Sequence, residues 1–263
     1  MYMCIGDVKE LQMDHDADCD PCAHDRDLEE GECFGAYTSK LNDYERAIIK
    51  RLAFVKPTYT MSNSNPELIA REIAPNGFKA IWEGLLRYKK INHLTQPLDK
   101  FLDLGCGAGQ VMLMALVMTD AMACGIDIQQ FLCDIARKWH ANAAKELHSL
   151  RDIFTNQSSR IFCLDMTSRD ALEIMAGANV IFCNNLLFSH SSRAPENNLN
   201  SKIMKQFDLL AARLPKDSYV YVISSATLSL GLETTITLPR ECVSWAVEGN
   251  VQFYISLVRG TKD

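Results

Sequence analysis

Residues 98–117 read Leu-Asp-Lys-Phe-Leu-Asp-Leu-Gly-Cys-Gly-Ala-Gly-Gln-Val-Met-Leu-Met-Ala-Leu-Val, and few folds accommodate such a stretch. Leu98 to Leu104 is an apolar run of strand length, and Val111 to Val117 is apolar at helical density. Gly105, Gly107 and Gly109 therefore sit on a strand-to-helix turn. Glycines in that pattern let backbone approach a ligand without Cβ interference, and the helix that follows presents unpaired N–H groups at its start. The turn is read as a ligand loop. Its spacing, Asp-x-Gly-x-Gly-x-Gly, differs from the dinucleotide fingerprint Gly-x-Gly-x-x-Gly, so no pyrophosphate is implied.

Two further strands end in acids. Ala121–Asp127 places a carboxylate some twenty residues beyond the first glycines, where such folds hold a ribose, and Ser159–Asp165 ends in a third aspartate. Asp103, at the end of the first strand, can take the ammonium of an amino-acid moiety. The arrangement resembles the opening motifs of class I S-adenosylmethionine-dependent methyltransferases, whose third strand contacts adenine. The plainer alternative is an ordinary strand–turn–helix in which Asp103 and Asp127 are a cap and a turn residue.

A chain of 263 residues with 48% hydrophobic content can bury a large core. No apolar run approaches membrane-spanning length, and residues 1–7 lack the basic start and apolar centre of a signal peptide. Ten cysteines without a secretory signal imply a reducing compartment, with Cys106, Cys124, Cys163 and Cys183 expected as small core residues. The net charge of −6 is unevenly placed: residues 1–32 hold eleven acids against Lys9 and Arg26, so the remainder carries +3. Poor in large apolar residues, residues 1–32 read as a flexible acidic extension. Cys19-Asp-Pro-Cys22 has ligand spacing, and His15, His24 and Cys33 could complete a zinc site, but a single Cys-x-x-Cys favours a plain acidic tail and no metal is assigned.

Residues 33–96 are expected to form a helical segment. Leu41, Tyr44, Ile48, Leu52 and Val55 make a helical stripe that Pro57 ends; Asn65-Pro66-Glu67 is a helix start; and a helix over Pro75–Ile91 carries Phe78, Ile81, Trp82, Leu85 and Leu86 on one side. From residue 97 strand and helix alternate. The helices are Gln129–Leu150, Ala171–Ala176 and Leu199–Leu214; the strands are Ala178–Asn184 and Ser218–Ser224, with strand-like runs at Thr234–Leu238, Cys242–Val247 and Val251–Val258. The alternation predicts an α/β fold, a mostly parallel sheet covered by helices on both faces, with antiparallel strands at one edge, and the class I resemblance implies that residues 97–263 form the catalytic domain. His140, His148 and His190 show no partner spacing and read as surface residues.

The fourth strand ends in Ile181-Phe-Cys-Asn-Asn-Leu-Leu-Phe188. Open α/β sheets bind ligands at strand carboxyl ends, so Asn184 should face the reacting centre. Many amino-methylating enzymes have Asn/Asp-Pro-Pro-aromatic here. The Asn-Asn-x-x-Phe form, with Asp103-Leu-Gly-x-Gly-x-Gly-Gln110-Val111, resembles the disruptor-of-telomeric-silencing (DOT) family of histone lysine methyltransferases. Val222-Ile-Ser224-Ser225 resembles that family's strand with paired serines, and Val243-Ser-Trp245 with Val251-Gln-Phe-Tyr254 its closing strands, so that residues from about 40 to 258 are covered. The resemblance implies a class I, Rossmann-like, seven-stranded sheet and methyl transfer from S-adenosylmethionine, leaving S-adenosylhomocysteine. It implies a lysine on the nucleosomal core of histone H3 as acceptor, nuclear residence, and contact with neighbouring histones and indirectly with DNA.

Carried over by position, the loop Asp103, Leu104, Gly105, Gly107, Gly109 and Gln110 would hold the methionine portion, with Gln110 capping the glycine turn. Asp127 would take the ribose, Asp165 with Met166 the adenine, and Met61 and Ser64 would belong to an upstream cofactor loop. Asn184 would line the junction of cofactor and lysine, with Phe188, Ser225, Trp245 and Phe253 walling a lysine channel; the plainer alternatives are a core aromatic for Trp245 and an interior strand residue for Phe253. The chain departs from the family at Met61-Ser-Asn-Ser64, where relatives carry a Tyr-Gly-Glu-Thr type sequence, and at Phe253, where they often have tyrosine. Ala226–Thr235 holds no arginine or lysine, which moves any anchor to the nucleosome's acidic patch to residues such as Arg193 or Arg240. The competing readings are a class I methyltransferase acting on RNA or a small molecule, and an inactive cofactor-binding partner protein.

Overall fold

The computed structural model describes residues 33–36, 40–57, 73–119, 121–148, 159–185, 198–243 and 249–262. The acidic start with its Cys-x-x-Cys, the helix start at Asn65, and Met61, Ser64, Phe188, His190, Arg193 and Trp245 lie outside them. In chain order the elements are β1 (Cys33–Ala36), α1 (Asp43–Phe54), α2 (Pro75–Ile91), β2 (Lys100–Leu104), α3 (Gln110–Met118), β3 (Met122–Asp127) and α4 (Gln130–His148). They continue as β4 (Ser159–Cys163), α5 (Arg169–Ala176), β5 (Val180–Cys183), α6 (Leu199–Ala211), β6 (Tyr219–Ser224), β7 (Thr234–Leu238) and β8 (Val251–Arg259).

The sheet runs β1-β7-β8-β6-β5-β2-β3-β4. Strands β2 to β6 pair in parallel, and β8 lies antiparallel between β6 and β7. These seven are the expected class I sheet. An eighth strand is added by the nominally helical N-terminal segment: β1 pairs in parallel with β7, Cys33 opposite Thr235 and Phe34 opposite Ile236. Four residues are too few to show an alternation, and the pairing arises because the free edge of β7 offers unpaired N–H and C=O groups. The chain leaves β2 towards β3 and β4 and returns to β5 on the other side of β2. That reversal opens a crevice at the carboxyl ends of β2 and β5, where ligands bind in such sheets.

Alternation along the strands sorts the core into two faces. Phe101, Ala123, Phe182, Tyr221, Ile223 and Phe253 belong to one cluster with α2 and α3 residues; Leu102, Leu104, Ile126, Ile181, Cys183 and Val222 belong to another with α5 and α6 residues. A third cluster packs Ile48 and Leu52 of α1 against Leu113 and Val117 of α3 and Trp139, Ala143 and Leu147 of α4. Helix α3 is thus covered on several sides, which is why residues 111 through 117 are all apolar and all buried. It lies close on the sheet: a Cβ on Gly125 of β3 would overlap Met112 Sδ and come within 2.7 Å of Cys106.

Local chemistry sets the helix starts. Asn42 caps α1 in a capping box with Glu45, Pro75 is the first residue of α2, and Ser168 and Asn198 cap α5 and α6. Lys79 of α2 reaches Glu45 at 2.8 Å and ties α2 to α1. Tyr44 and Leu86, expected on buried stripes, are exposed at the margins of their helices. The run at Cys242–Val247 is not a strand at its start. After Pro239 the backbone makes a 3-10 turn, Arg240–Cys242, and Val243 then forms a single antiparallel bridge with Ile73. Cys106 and Cys183 are buried, and Cys124 and Cys163 half-buried, all as free thiols.

Candidate functional site

Asp103 is the next-to-last residue of β2, in register with Gly125 of β3 and Phe182 of β5. Only 3% of it is exposed. Burial first, and the neighbouring Asp127 carboxylate second, push its pKa up to about 8, and no donor among the described residues offsets them. A carboxyl group so placed is neutral at rest and becomes ionised when a cation arrives to pair with it. An arriving cation would offset both causes.

The loop above it consists of Gly105, Gly107 and Gly109, at φ of 80°, 53° and 79°. Side chains carrying Cβ rarely adopt this left-handed region. The N–H groups of Gly105 and Cys106 both donate to the Ile126 carbonyl, at 2.8 and 3.0 Å. Asp127 holds the loop from the end of β3: its Oδ2 accepts from Gly107 N at 2.9 Å, and its Oδ1 accepts from Gln129 N at 2.8 Å. Burial raises the Asp127 pKa while those amides oppose the rise. Each oxygen keeps a lone pair for a hydroxyl donor such as a ribose. Asp127 is therefore a buttress of the loop.

His140 corrects its sequence reading. It is not a surface residue: 5% is exposed, its Nε2 lies 2.9 Å from the Gly109 carbonyl, and burial lowers its pKa to about 4. The signal was present in the sequence. Cys133, Ala136, His140, Ala143 and Leu147 recur at helical spacing, and all five are buried on the inward face of α4.

Gln110 does not cap the glycine turn; Gly109 is the N-cap of α3, with no side-chain cap. Instead Gln110 Nε2 donates to the Ile73 carbonyl at 3.1 Å, and its buried Oε1 has no partner among the described residues. Ile73 also bridges Val243, and Ala74 N donates to Cys242 O at 2.8 Å. The borders of the two stretches that contain Met61, Ser64 and Trp245 thus meet beside the start of α3. Asp165 is exposed just beyond β4, its Oδ1 accepting from Thr167 N and Oγ1 at 2.8 and 2.7 Å in the turn that leads to α5. Met166 and Leu104 belong to the buried cluster under α5 and α6.

At the ends of β5 and β6, side chains continue the pairing that the backbone stops. Ser225 Oγ donates to Asn184 Oδ1 at 2.7 Å. Asn185, fully buried, accepts from Ala226 N at 2.9 Å and donates to Ala226 O at 3.3 Å and to Asn200 Oδ1 at 3.0 Å. Asn184 and Ser225 are brought together one strand from Asp103.

Phe253 lies in the core. It is fully buried, stacked on Phe182 with centroids 6.0 Å apart, and Phe182 is stacked in turn on Phe101 at 6.3 Å. The pleat of β8 directs it into the core under α2, as the interior-strand alternative expects.

The family model described as histone methylation protein DOT1 matches residues 87–258, well over half of the chain. The chain belongs to this DOT1 family. No curated protein matches the sequence. Similar solved structures include an RNA methyltransferase from Salinibacter ruber in complex with S-adenosyl-L-homocysteine, 19% identical, with a TM-score of 0.41, covering 69% of this chain and 94% of that one. A putative RNA methyltransferase from Pyrococcus horikoshii is 13% identical, with a TM-score of 0.42, covering 84% of this chain and 100% of that one. Likeness at that distance adds nothing to the family match.

As a DOT1-family protein the chain is an S-adenosylmethionine-dependent methyltransferase. The residues present fit that cofactor. Asp103 is a buried acid without a counter-ion among the described residues, Gln110 Oε1 is a buried acceptor without a donor among them, and both flank the glycine loop. No helix among the described residues is long and apolar enough to cross a membrane.

Proposed function

We propose that the chain is a histone-lysine N-methyltransferase whose acceptor is a lysine on the nucleosomal core of histone H3, and that it works on chromatin in the nucleus. The observation that carries this reading is the Asn184–Ser225 hydrogen bond, at 2.7 Å across the ends of β5 and β6, in a DOT1-family chain. It sets a fixed amide where the strand order reverses, beside the acid that receives the cofactor's positive charge.

When bound, S-adenosylmethionine supplies an electrophilic methyl on a sulfonium. The protein's own residues align and exclude rather than attack. Asp103 holds the ammonium of the methionine portion, Asp127 accepts from the ribose hydroxyls while bracing Gly107, and Asp165 with Met166 borders the adenine. Ser225 donates to Asn184 Oδ1, so the Asn184 carboxamide is held in one orientation and keeps its Nδ2–H2 group as donor. An amide is no base near neutral pH, so Asn184 orients the amine, which gives its proton to solvent first. Phe188 and Trp245 complete the lysine channel in this proposal, Met61 and Ser64 an upstream cofactor loop, and Arg240 an anchor to the nucleosome.

The test is transfer of radiolabelled methyl to intact nucleosomes, with free histones and bulk RNA alongside and Asn184→Ala as control. Label on nucleosomal histone H3, reduced at least about tenfold in the control, supports the assignment; such a loss is typical when a positioned group is removed. Label on RNA alone, or an Asn184→Ala protein with full turnover, overturns it.

A further inference from the structure

We propose that His140 is a positioning residue for the cofactor, holding the glycine loop from behind as a hydrogen-bond donor. The inference rests only on the family's cofactor and not on the histone acceptor.

Gly109 is where the loop becomes a helix. Its φ of 79° turns the chain, and its carbonyl accepts the first helical bond of α3, from Leu113 N at 3.1 Å. The same carbonyl lies 2.9 Å from His140 Nε2. A carbonyl oxygen only accepts, so Nε2 carries the hydrogen and the imidazole is the Nε2–H tautomer. Burial keeps the ring neutral, as its pKa of about 4 reflects.

The fit is close on both sides. A Cβ on Gly109 would come within 2.8 Å of His140 Nε2, 3.1 Å of Ala136 Cβ and 3.2 Å of His140 Cδ2. The ring thus fills the space that keeps residue 109 a glycine, and its N–H fixes the direction of the Gly109 carbonyl. Asp127 performs the matching task two residues earlier, accepting from Gly107 N. Two side chains, one from β3 and one from α4, therefore set the loop before any ligand arrives. A neutral donor is the suitable second brace. An imidazolium would add positive charge directly behind the N-terminus of α3, whose helix dipole already places positive charge there.

Three proteins test this: the wild-type chain, His140→Phe, which keeps an aromatic ring without the donor, and His140→Gln, whose amide N–H reaches the Nε2 position. Calorimetric titration with S-adenosylhomocysteine reads cofactor binding without any acceptor. Expected is a dissociation constant about fivefold higher for His140→Phe, the equivalent of one net hydrogen bond. The His140→Gln value should stay within about twofold of wild type, with kcat at saturating cofactor little changed in both. Equal behaviour of Phe and Gln, or a kcat loss with unchanged affinity, overturns the proposal. Should His140→Phe fail to fold, 15N shifts of the His140 ring in the wild-type protein decide. A hydrogen on Nε2 is expected, and an Nδ1–H tautomer overturns it.

Discussion

Replacing Asp103 with asparagine should make the ligand-free protein more stable while disabling cofactor binding. The Asp103 pKa is held at about 8 against an ordinary 3.8, so the folded state binds a proton that the unfolded chain releases. For an acid with a raised pKa the linkage runs against stability as pH increases. The cost begins near pH 4, grows through neutrality and levels off above about pH 8. At about 1.36 kcal/mol per tenfold change in proton affinity, ionisation of Asp103 weakens the fold by about 2 kcal/mol at pH 5 and about 5 kcal/mol at pH 8. Asp103→Asn removes that cost. In a chain of this size about 3 °C of Tm follows each kcal/mol, so the variant should melt about 15 °C higher than wild type at pH 8 and about 6 °C higher at pH 5. Its affinity for S-adenosylhomocysteine should fall about 30-fold or more, since a buried charge pair has lost one partner. Thermal unfolding at the two pH values and calorimetry check both halves. The wild type should also release close to one proton on binding at pH 6.5, seen as a buffer-dependent enthalpy. A variant no more stable than wild type at pH 8, or a gain that does not shrink at pH 5, refutes the account of Asp103 as a desolvated acid.

Two further outcomes are expected. Phe253→Ala should lose about 3–5 kcal/mol in denaturant unfolding and leave the KM of a histone substrate unchanged in the protein that remains folded, because the ring stacks on Phe182 in the core; a raised KM at unchanged stability would return it to a channel. Asn185→Ala should cost about 1–3 kcal/mol by stranding the half-buried Ala226 and Asn200 partners, and should lower kcat with little effect on S-adenosylhomocysteine affinity, read by denaturant unfolding, methyl-transfer kinetics and calorimetry.

Much of this protein was determined by sequence alone, because local chemistry carried it. The alternation of strand and helix from residue 97, the glycine turn, the acids at or just beyond strand ends, and the Asn-Asn and Ser-Ser pairs are short-range patterns, and backbone geometry converts each into a position at the ligand end of a sheet. Helix α2 begins at Pro75 and ends at Ile91, as its proline and apolar stripe require. What only the tertiary structure decided depends on contacts between residues distant in the chain. The short strand β1 exists because β7 has an edge to offer. Gln110 turned from the loop to the Ile73 carbonyl, 37 residues earlier. Phe253 went into the core because the pleat of β8, set by its pairing with β6 and β7, faced it towards Phe182. His140 became a loop buttress because α4 packs with its inward face against the glycine turn. A period along one helix says which side is buried, and only the packed neighbour says against what.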